Sequence, residues 1–263
     1  MKKHLAACIF LLLSLVITSC RKSANRIPDP VPVVGKLSKL AYGNGGYDSV
    51  YYHTDGTIRK IVSHNVQPFP YDEVYTFDYD AAKKVTRITD NNGEYYDYRY
   101  INGELVAVLH YVGGSKEDYR TYVWNNGRLA EVEEHYRPGV SVPGHQLMTR
   151  REFTYYADGN LEKETVYNWD AQAQALVKDY SRTFSDYDAH FNPEESIGRF
   201  LYLSQVVLSN RNARKMISVD ERTGVTTEFN FSYTYNDFMN PSSKKMTYTS
   251  GGQQLQETVT YHY

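Results

Sequence analysis

The sequence predicts an all-β fold built from consecutive antiparallel β-hairpins, and three observations carry that prediction. Tyrosine outnumbers phenylalanine and tryptophan together by 26 to 12, and aromatic side chains favour half-buried pleated surfaces over helix interiors. Aromatic residues also recur at alternate positions, as in Tyr75/Phe77/Tyr79, Tyr96/Tyr98/Tyr100 and Phe229/Phe231/Tyr233/Tyr235. That period sets each group on one face of a strand. A small turn residue, often the glycine of an Asp-Gly or Asn-Gly pair, follows such a run and precedes a β-prone return segment. Phe153 to Tyr167 is the clearest copy, with an aromatic strand, the turn Asp158-Gly159-Asn160, and a return strand from Leu161.

Taken in order, residues 1–20 read as an export signal. Lys2 and Lys3 precede an apolar run from Leu5 that is too short for a comfortable membrane span. The run ends in Ile17-Thr18-Ser19-Cys20, which resembles the lipobox of bacterial lipoproteins, and the resemblance makes Cys20 the lipidated first residue of the mature chain. The other cysteine, Cys8, lies inside the segment that would be removed. The mature chain then offers no disulfide, thiolate nucleophile or Cys-ligated metal, and its stability must come from sheet packing. Loss of Lys2 and Lys3 leaves 27 basic against 31 acidic residues, a formal charge of −4. That balance gives no sign of nucleic-acid binding, which needs a clustered basic surface.

Residues 21–36, with Pro28, Pro30 and Pro32 in alternation, read as a semi-stiff tether. The β domain, residues 37–263, begins at Leu37. Its hairpin copies align on the aliphatic residue after the turn, at 58, 85, 105, 129, 161, 193 and 241. The irregular steps mean hairpins with variable loops, unlike a strict solenoid. After each turn the apolar spacing changes to three, as in Ile58/Ile61, Val85/Ile88, Leu105/Val108 and Leu129/Val132. Either the first aliphatic residue still belongs to the turn, or a bulge follows it and helps the sheet curl. Longer surface loops are expected at Ser63 to Asp72 and Arg137 to Gln146, a wider hairpin tip at Trp169 to Val177, and a short helix with an irregular segment between Pro193 and Met216. Roughly fourteen strands in an elongated, open curled sheet or sandwich accommodate all of these elements.

The copies Tyr122 to Leu129 and Phe153 to Leu161 resemble tyrosine-aspartate (YD, Rhs-type) repeats. More narrowly, the chain looks like exported lipoproteins of gut Gram-negative bacteria that carry several such repeats behind a lipobox. In large Rhs proteins these repeats build a wound β-shell around a cargo. This chain departs from them in its few, irregular copies and its lack of a cargo segment.

No Gly-x-Ser-x-Gly, His-Glu-x-x-His, phosphate loop or dinucleotide fingerprint is present, and no cofactor is implied. His110 and His135 end two neighbouring return strands, but their offsets from Leu105 and Leu129 differ by one residue, which places them on opposite faces. Glu131 and Glu133 share a face and read as a solvated strand surface. Asp186 to Asn192 suggests turn chemistry more than a calcium loop, lacking the glycine and terminal glutamate of one.

The aromatic face, represented by Tyr98, Tyr100, Tyr122, Trp124 and Tyr155, is the candidate binding surface. The reading that competes with ligand stacking is ordinary core packing. The expected function is a non-enzymatic, lipid-anchored outer-membrane protein that binds or scaffolds, with the membrane as partner through its anchor and a glycan or another envelope protein as ligand. The alternatives are a glycan-binding module using exposed Tyr and Trp, and a hydrolase with scattered catalytic residues. Arg21-Lys22 after Cys20 is not the acidic run linked to surface display, which favours the periplasmic face.

Overall fold

The computed structural model describes residues 35–66, 68–137, 144–198, 200 and 208–263. The export signal, Cys20 and nearly all of the tether lie outside the described residues. The first half of the domain contributes β1 (Lys39–Tyr42), β2 (Tyr47–Tyr52), β3 (Ile58–Asn65), β4 (Tyr71–Tyr79), β5 (Val85–Thr89), β6 (Tyr95–Ile101), β7 (Glu104–Val112) and β8 (Ser115–Asn125). The second half adds β9 (Arg128–Tyr136), β10 (Gln146–Tyr155), β11 (Leu161–Asp170), β12 (Ala175–Phe191), the single turn α1 (Glu195–Gly198), β13 (Arg211–Asp220), β14 (Thr226–Tyr235), β15 (Pro241–Ser250) and β16 (Gln253–His262).

The sixteen strands close into one antiparallel barrel, with every strand bonded to its sequence neighbours. The seam is β1 against β16, where Lys39 faces His262 and Tyr42 faces Val259. This corrects the expected open curled sheet or sandwich. A sandwich needs connections that cross between sheets, whereas here each connection joins adjacent strands, so a sheet with one apolar face can cover that face only by curling onto itself.

The curl has a local source. In β2–β3, Tyr51 pairs with Lys60 but Tyr52 pairs with Ile58, which leaves Arg59 as an extra residue. The same slip sits beside the pairs Tyr79/Val85, Tyr100/Leu105, Trp124/Leu129, Tyr155/Leu161 and Tyr235/Pro241. Each slip is a bulge, which bends its strand and increases twist. It also resolves the three-residue spacing, because Ile58 and Ile61 both turn inward and are buried. The turns themselves follow the sequence: Gly127 and Gly159 hold φ of 72° and 94°, a region open to glycine at no steric cost.

All these bulged hairpins lie at one end of the barrel, its mouth, and the interior is layered from there. The first layer holds Tyr52, Tyr79, Tyr100, Trp124 and Tyr155 against the aliphatic residues they pair with. The second pairs Val50 with Ile61, Phe77 with Ile88, Tyr98 with Val108 and Tyr122 with Val132. These side chains form one continuous buried cluster, each fully buried large apolar group contributing about 1.5–3 kcal/mol. The third layer, toward the far end, is charged.

After β12 the chain leaves the wall, and Pro193 to Gly198 and Phe200 lie over the mouth. Phe200 stands 4.7 Å from Phe77, ring to ring. Ile197 packs against both the large cluster and a second one formed by Leu37, Leu40 and Tyr261 at the seam. Glu194 is tied to Lys244 of β15 and Tyr261 of β16. The short helix expected between Pro193 and Met216 is therefore present, but the wall resumes at Arg211. Asp186 to Asn192 is not a turn. It belongs almost wholly to β12, where Asp186 takes φ 54° and the register slips before Phe191, and Asp188 is buried against Asn212 and Tyr235. The first long loop is also shorter than expected, because β3 and β4 extend to Asn65 and back to Tyr71.

Candidate functional site

The rim of the mouth is made by the first-layer aromatics, and the polar edges of all but Tyr100 are engaged by backbone. Tyr52 Oη donates to the Leu37 carbonyl at 2.7 Å, Tyr79 to Ile58 at 2.7 Å, and Tyr155 to Leu129 at 2.7 Å. Trp124 Nε1 donates to Leu105 at 2.6 Å, Tyr187 to Leu161 at 2.6 Å, and Tyr263 to Pro241 at 3.0 Å. Apart from Leu37, which precedes β1, each acceptor is the first or second residue of the preceding return strand. A bulge disrupts the ladder locally, and the next hairpin's phenol or indole supplies a donor there. This is why the chain uses Tyr and Trp at these positions, where Phe would supply the ring and no donor. Burial pushes the hydroxyls of Tyr52, Tyr79, Tyr100 and Tyr155 up to about 12, so all remain neutral donors at physiological pH.

Between this rim and α1 lies a cavity of roughly 700 Å³. Tyr52, Tyr79, Tyr98, Tyr100, Ile58, Val85 and Phe200 form its walls, and Lys36, Asp55, Lys83 and Lys84 stand at its edge. Lys36 Nζ lies 4.9 Å from the Tyr52 ring centroid and Lys84 Nζ 5.3 Å from that of Tyr100. Lys84 also donates to the Gly103 carbonyl at 2.8 Å, and Lys83 pairs with Asp55 at 3.2 Å. The hydroxyl of Tyr98, whose side chain is 5% exposed, is buried without a hydrogen-bond partner. A second depression of roughly 410 Å³ adjoins α1, lined by Trp124, Arg128, Leu129, Tyr155 and Leu208. Glu195 of α1 borders both.

The sequence-predicted face is thereby divided. Tyr98 and Tyr100 line the larger cavity and Trp124 and Tyr155 the smaller, while Tyr122 is buried in the second layer and lines neither. The residues that sequence reasoning missed are Lys36, Lys83, Lys84 and Phe200. Lys36 lies before β1 and Lys83 and Lys84 in the β4–β5 turn, each reaching a neighbouring hairpin distant in sequence, and Phe200 lies in the one stretch without strand periodicity.

Deeper in the barrel a belt of charge crosses the wall. His110 Nδ1 lies 2.8 Å from Asp118 and its Nε2 3.0 Å from Glu94. Further along, Glu134 lies 3.4 Å from both Arg120 and Arg151, and Glu164 lies 3.5 Å from Arg151 and 3.2 Å from Arg182. Desolvation works against the His110 imidazolium, but its bonds and attraction to Asp118 and Glu94 outweigh this and raise its pKa. With both ring nitrogens on carboxylates, the doubly protonated form is the one that satisfies the site. His135 faces outward, stacked on Tyr119 at 4.5 Å, so the two histidines are on opposite faces. Among the described residues, no group of His, Cys, Asp or Glu is placed to hold a metal.

The outer wall is charged as well. Asp97 accepts from Arg87 at 2.7 Å and Arg99 at 3.4 Å, and Arg150 reaches Glu133 at 2.9 Å and Glu131 at 3.7 Å. Glu131 and Glu133 therefore share the face that their spacing predicts, but that face is half-buried and ion-paired rather than freely solvated.

No protein-family model matches the chain, so its resemblance to YD repeats has no support from that comparison. No curated protein matches it either. Solved structures do. A porin-like protein from Bacteroides uniformis is 12% identical, with a TM-score of 0.58, covering 89% of this chain and 99% of that one. A porin-like protein from Bacteroides vulgatus is also 12% identical, with a TM-score of 0.56, covering 87% of this chain and 99% of that one. At such identity the likeness is one of fold: the chain has the architecture of these porin-like proteins.

Proposed function

We propose that this is a non-enzymatic, lipid-anchored protein of the bacterial outer membrane, a divergent YD-repeat-like lipoprotein whose barrel mouth binds a small ligand. The observation that carries the binding role is the cavity between the aromatic rim and α1, which has the size and lining of a small-molecule site. The anchoring role rests on the export signal and the lipobox-like run ending at Cys20. It is supported by the outer wall, whose exposed ion pairs are unlike the apolar band a membrane-spanning barrel turns to lipid. Attachment then falls to the leader. The two porin-like matches fit an envelope protein, and the periplasmic face remains the favoured side. A glycan is the alternative ligand, because Trp124 and Tyr155 line a second depression. Their polar edges are bonded to backbone, which leaves only ring faces for a sugar.

Two measurements test this. Cys20→Ser should release the protein into the soluble fraction, and membrane association that survives both the substitution and a high-salt wash would refute the anchor. Ser196 lines the cavity from α1, so Ser196→Trp should fill it and abolish saturable binding of an apolar fluorophore while leaving the melting temperature close to wild type. Absence of saturable binding in the wild type, or unchanged binding in the variant, would refute the site.

A further inference from the structure

Resting on that reading, we infer that the mouth cavity takes an amphipathic monoanion, a carboxylate head on an apolar body, with the head drawn to a lysine of the cavity edge, Lys36 or Lys84. The cations of the rim are neutralised unevenly. Lys83 has the carboxylate of Asp55. Lys36, Lys84 and Arg128 have rings and carbonyls instead: Lys36 lies over Tyr52, Lys84 over Tyr100 with a bond to the Gly103 carbonyl, and Arg128 lies 5.6 Å from the Tyr155 centroid with a bond to the Tyr156 carbonyl. None of these three has a carboxylate partner among the described residues. Ring faces and carbonyls orient a cation but leave its net charge, and low-dielectric walls strengthen the field of such charges at the opening.

The chemistry of the wall fits the other half of the ligand. Tyr79, Val85, Ile58 and Phe200 present apolar surface below the lysines, and Tyr52 and Tyr79 have their hydroxyls committed to backbone carbonyls. A body entering between them meets ring faces and methyl groups. At the depth of the second layer the Tyr98 hydroxyl, which lines this cavity, is buried without an acceptor. An unmet buried hydroxyl costs about 1–3 kcal/mol, and an oxygen carried by the occupant would relieve it. Lys84 retains two further N–H donors beyond the one given to Gly103, enough to meet a carboxylate without breaking the wall.

The experiment compares decanoate, decanol and decyltrimethylammonium as competitors of a bound neutral fluorophore on the full-length, detergent-solubilised protein. The result expected is binding of decanoate at least tenfold tighter than decanol, weakened by raising salt from about 50 to 500 mM. The cationic compound should be the weakest. In the Lys36→Gln/Lys84→Gln variant the preference for decanoate should vanish while decanol affinity stays within about twofold, with an unchanged melting temperature confirming the fold. Equal affinities for acid and alcohol, or a preference that survives the double substitution, would overturn the anionic assignment and leave the cavity as an apolar site. Failure of all three compounds to compete would overturn that assignment alone, whereas absence of saturable fluorophore binding would overturn the binding reading it rests on.

Discussion

Replacing Trp124 separates a packed rim from an exposed stacking platform. The indole sits in the first interior layer against the buried cluster, and its Nε1 donates to the Leu105 carbonyl at 2.6 Å. Trp124→Ala removes the ring from a partly buried site, which places the loss near the lower end of the usual 3–5 kcal/mol for a large aromatic, about 3 kcal/mol. Trp124→Phe keeps a ring but deletes the donor and leaves the Leu105 carbonyl unmet, an effect of about 1–2 kcal/mol. In urea, with a slope of about 3 kcal/mol/M for a domain of this size, the two variants should lower the midpoint by about 1 M and ~0.5 M. Ligand should be absent throughout, so that the readout is folding alone. Midpoints indistinguishable from wild type for both variants would show that the indole neither packs nor bonds as described, and would return this face to the glycan-binding reading. A loss for Ala without one for Phe would refute the hydrogen bond and spare the packing.

The turn glycines and the charged belt yield two more predictions. Gly127→Val should destabilise by at least ~1 kcal/mol through backbone strain alone, since a Cβ there meets nothing within 4 Å. Gly159→Val should lose more, because its Cβ would stand 3.3 Å from the Arg128 guanidinium; melting temperatures equal to wild type would refute both assignments. His110 has a raised folded pKa, so its contribution is fully present below the unfolded value of about 6.5 and is lost as pH rises through the folded one. The stability gap between wild type and His110→Gln should therefore be widest near pH 6 and narrow toward pH 9 in urea melts. A gap that does not change with pH would refute the paired imidazolium.

Much of the local structure was legible because it depends on neighbours in the chain. Alternate aromatics, the glycine after Asn126 or Asp158, and the three-residue gap of Ile58/Ile61 report strand face, turn and bulge within a dozen residues. Closure was not legible, since nothing near Lys39 announces that it will face His262 across the seam. The meaning of tyrosine was half legible. Its hydroxyl pointed to a polar requirement, but the partner is a backbone carbonyl some twenty residues earlier, as Ile58 is for Tyr79, and sequence alone offered water as the simpler answer. Asp188 was misread because Asp-rich segments favour turns, whereas here a bulged strand turns the carboxylate inward to Asn212 and Tyr235. The candidate cavity needed both closure and the excursion that carries Phe200, so it could not be assembled from any one stretch.

With the proposed anchor at Cys20, the seam would set which end of the barrel is tethered. β1 is entered, and β16 left, at the mouth: Gly35 lies beside Tyr263, and Lys36 is already part of the cavity edge. A leash attached to residue 35 would therefore pull on the mouth and leave the opposite loops pointing away. With roughly fifteen extended residues between a lipidated Cys20 and the barrel, the opening would hang at most about 45 Å from the bilayer and look toward it. Solutes arriving from the membrane side would meet the lysine rim first, while large partners approaching from the far side would meet only the hairpin tips at the other end.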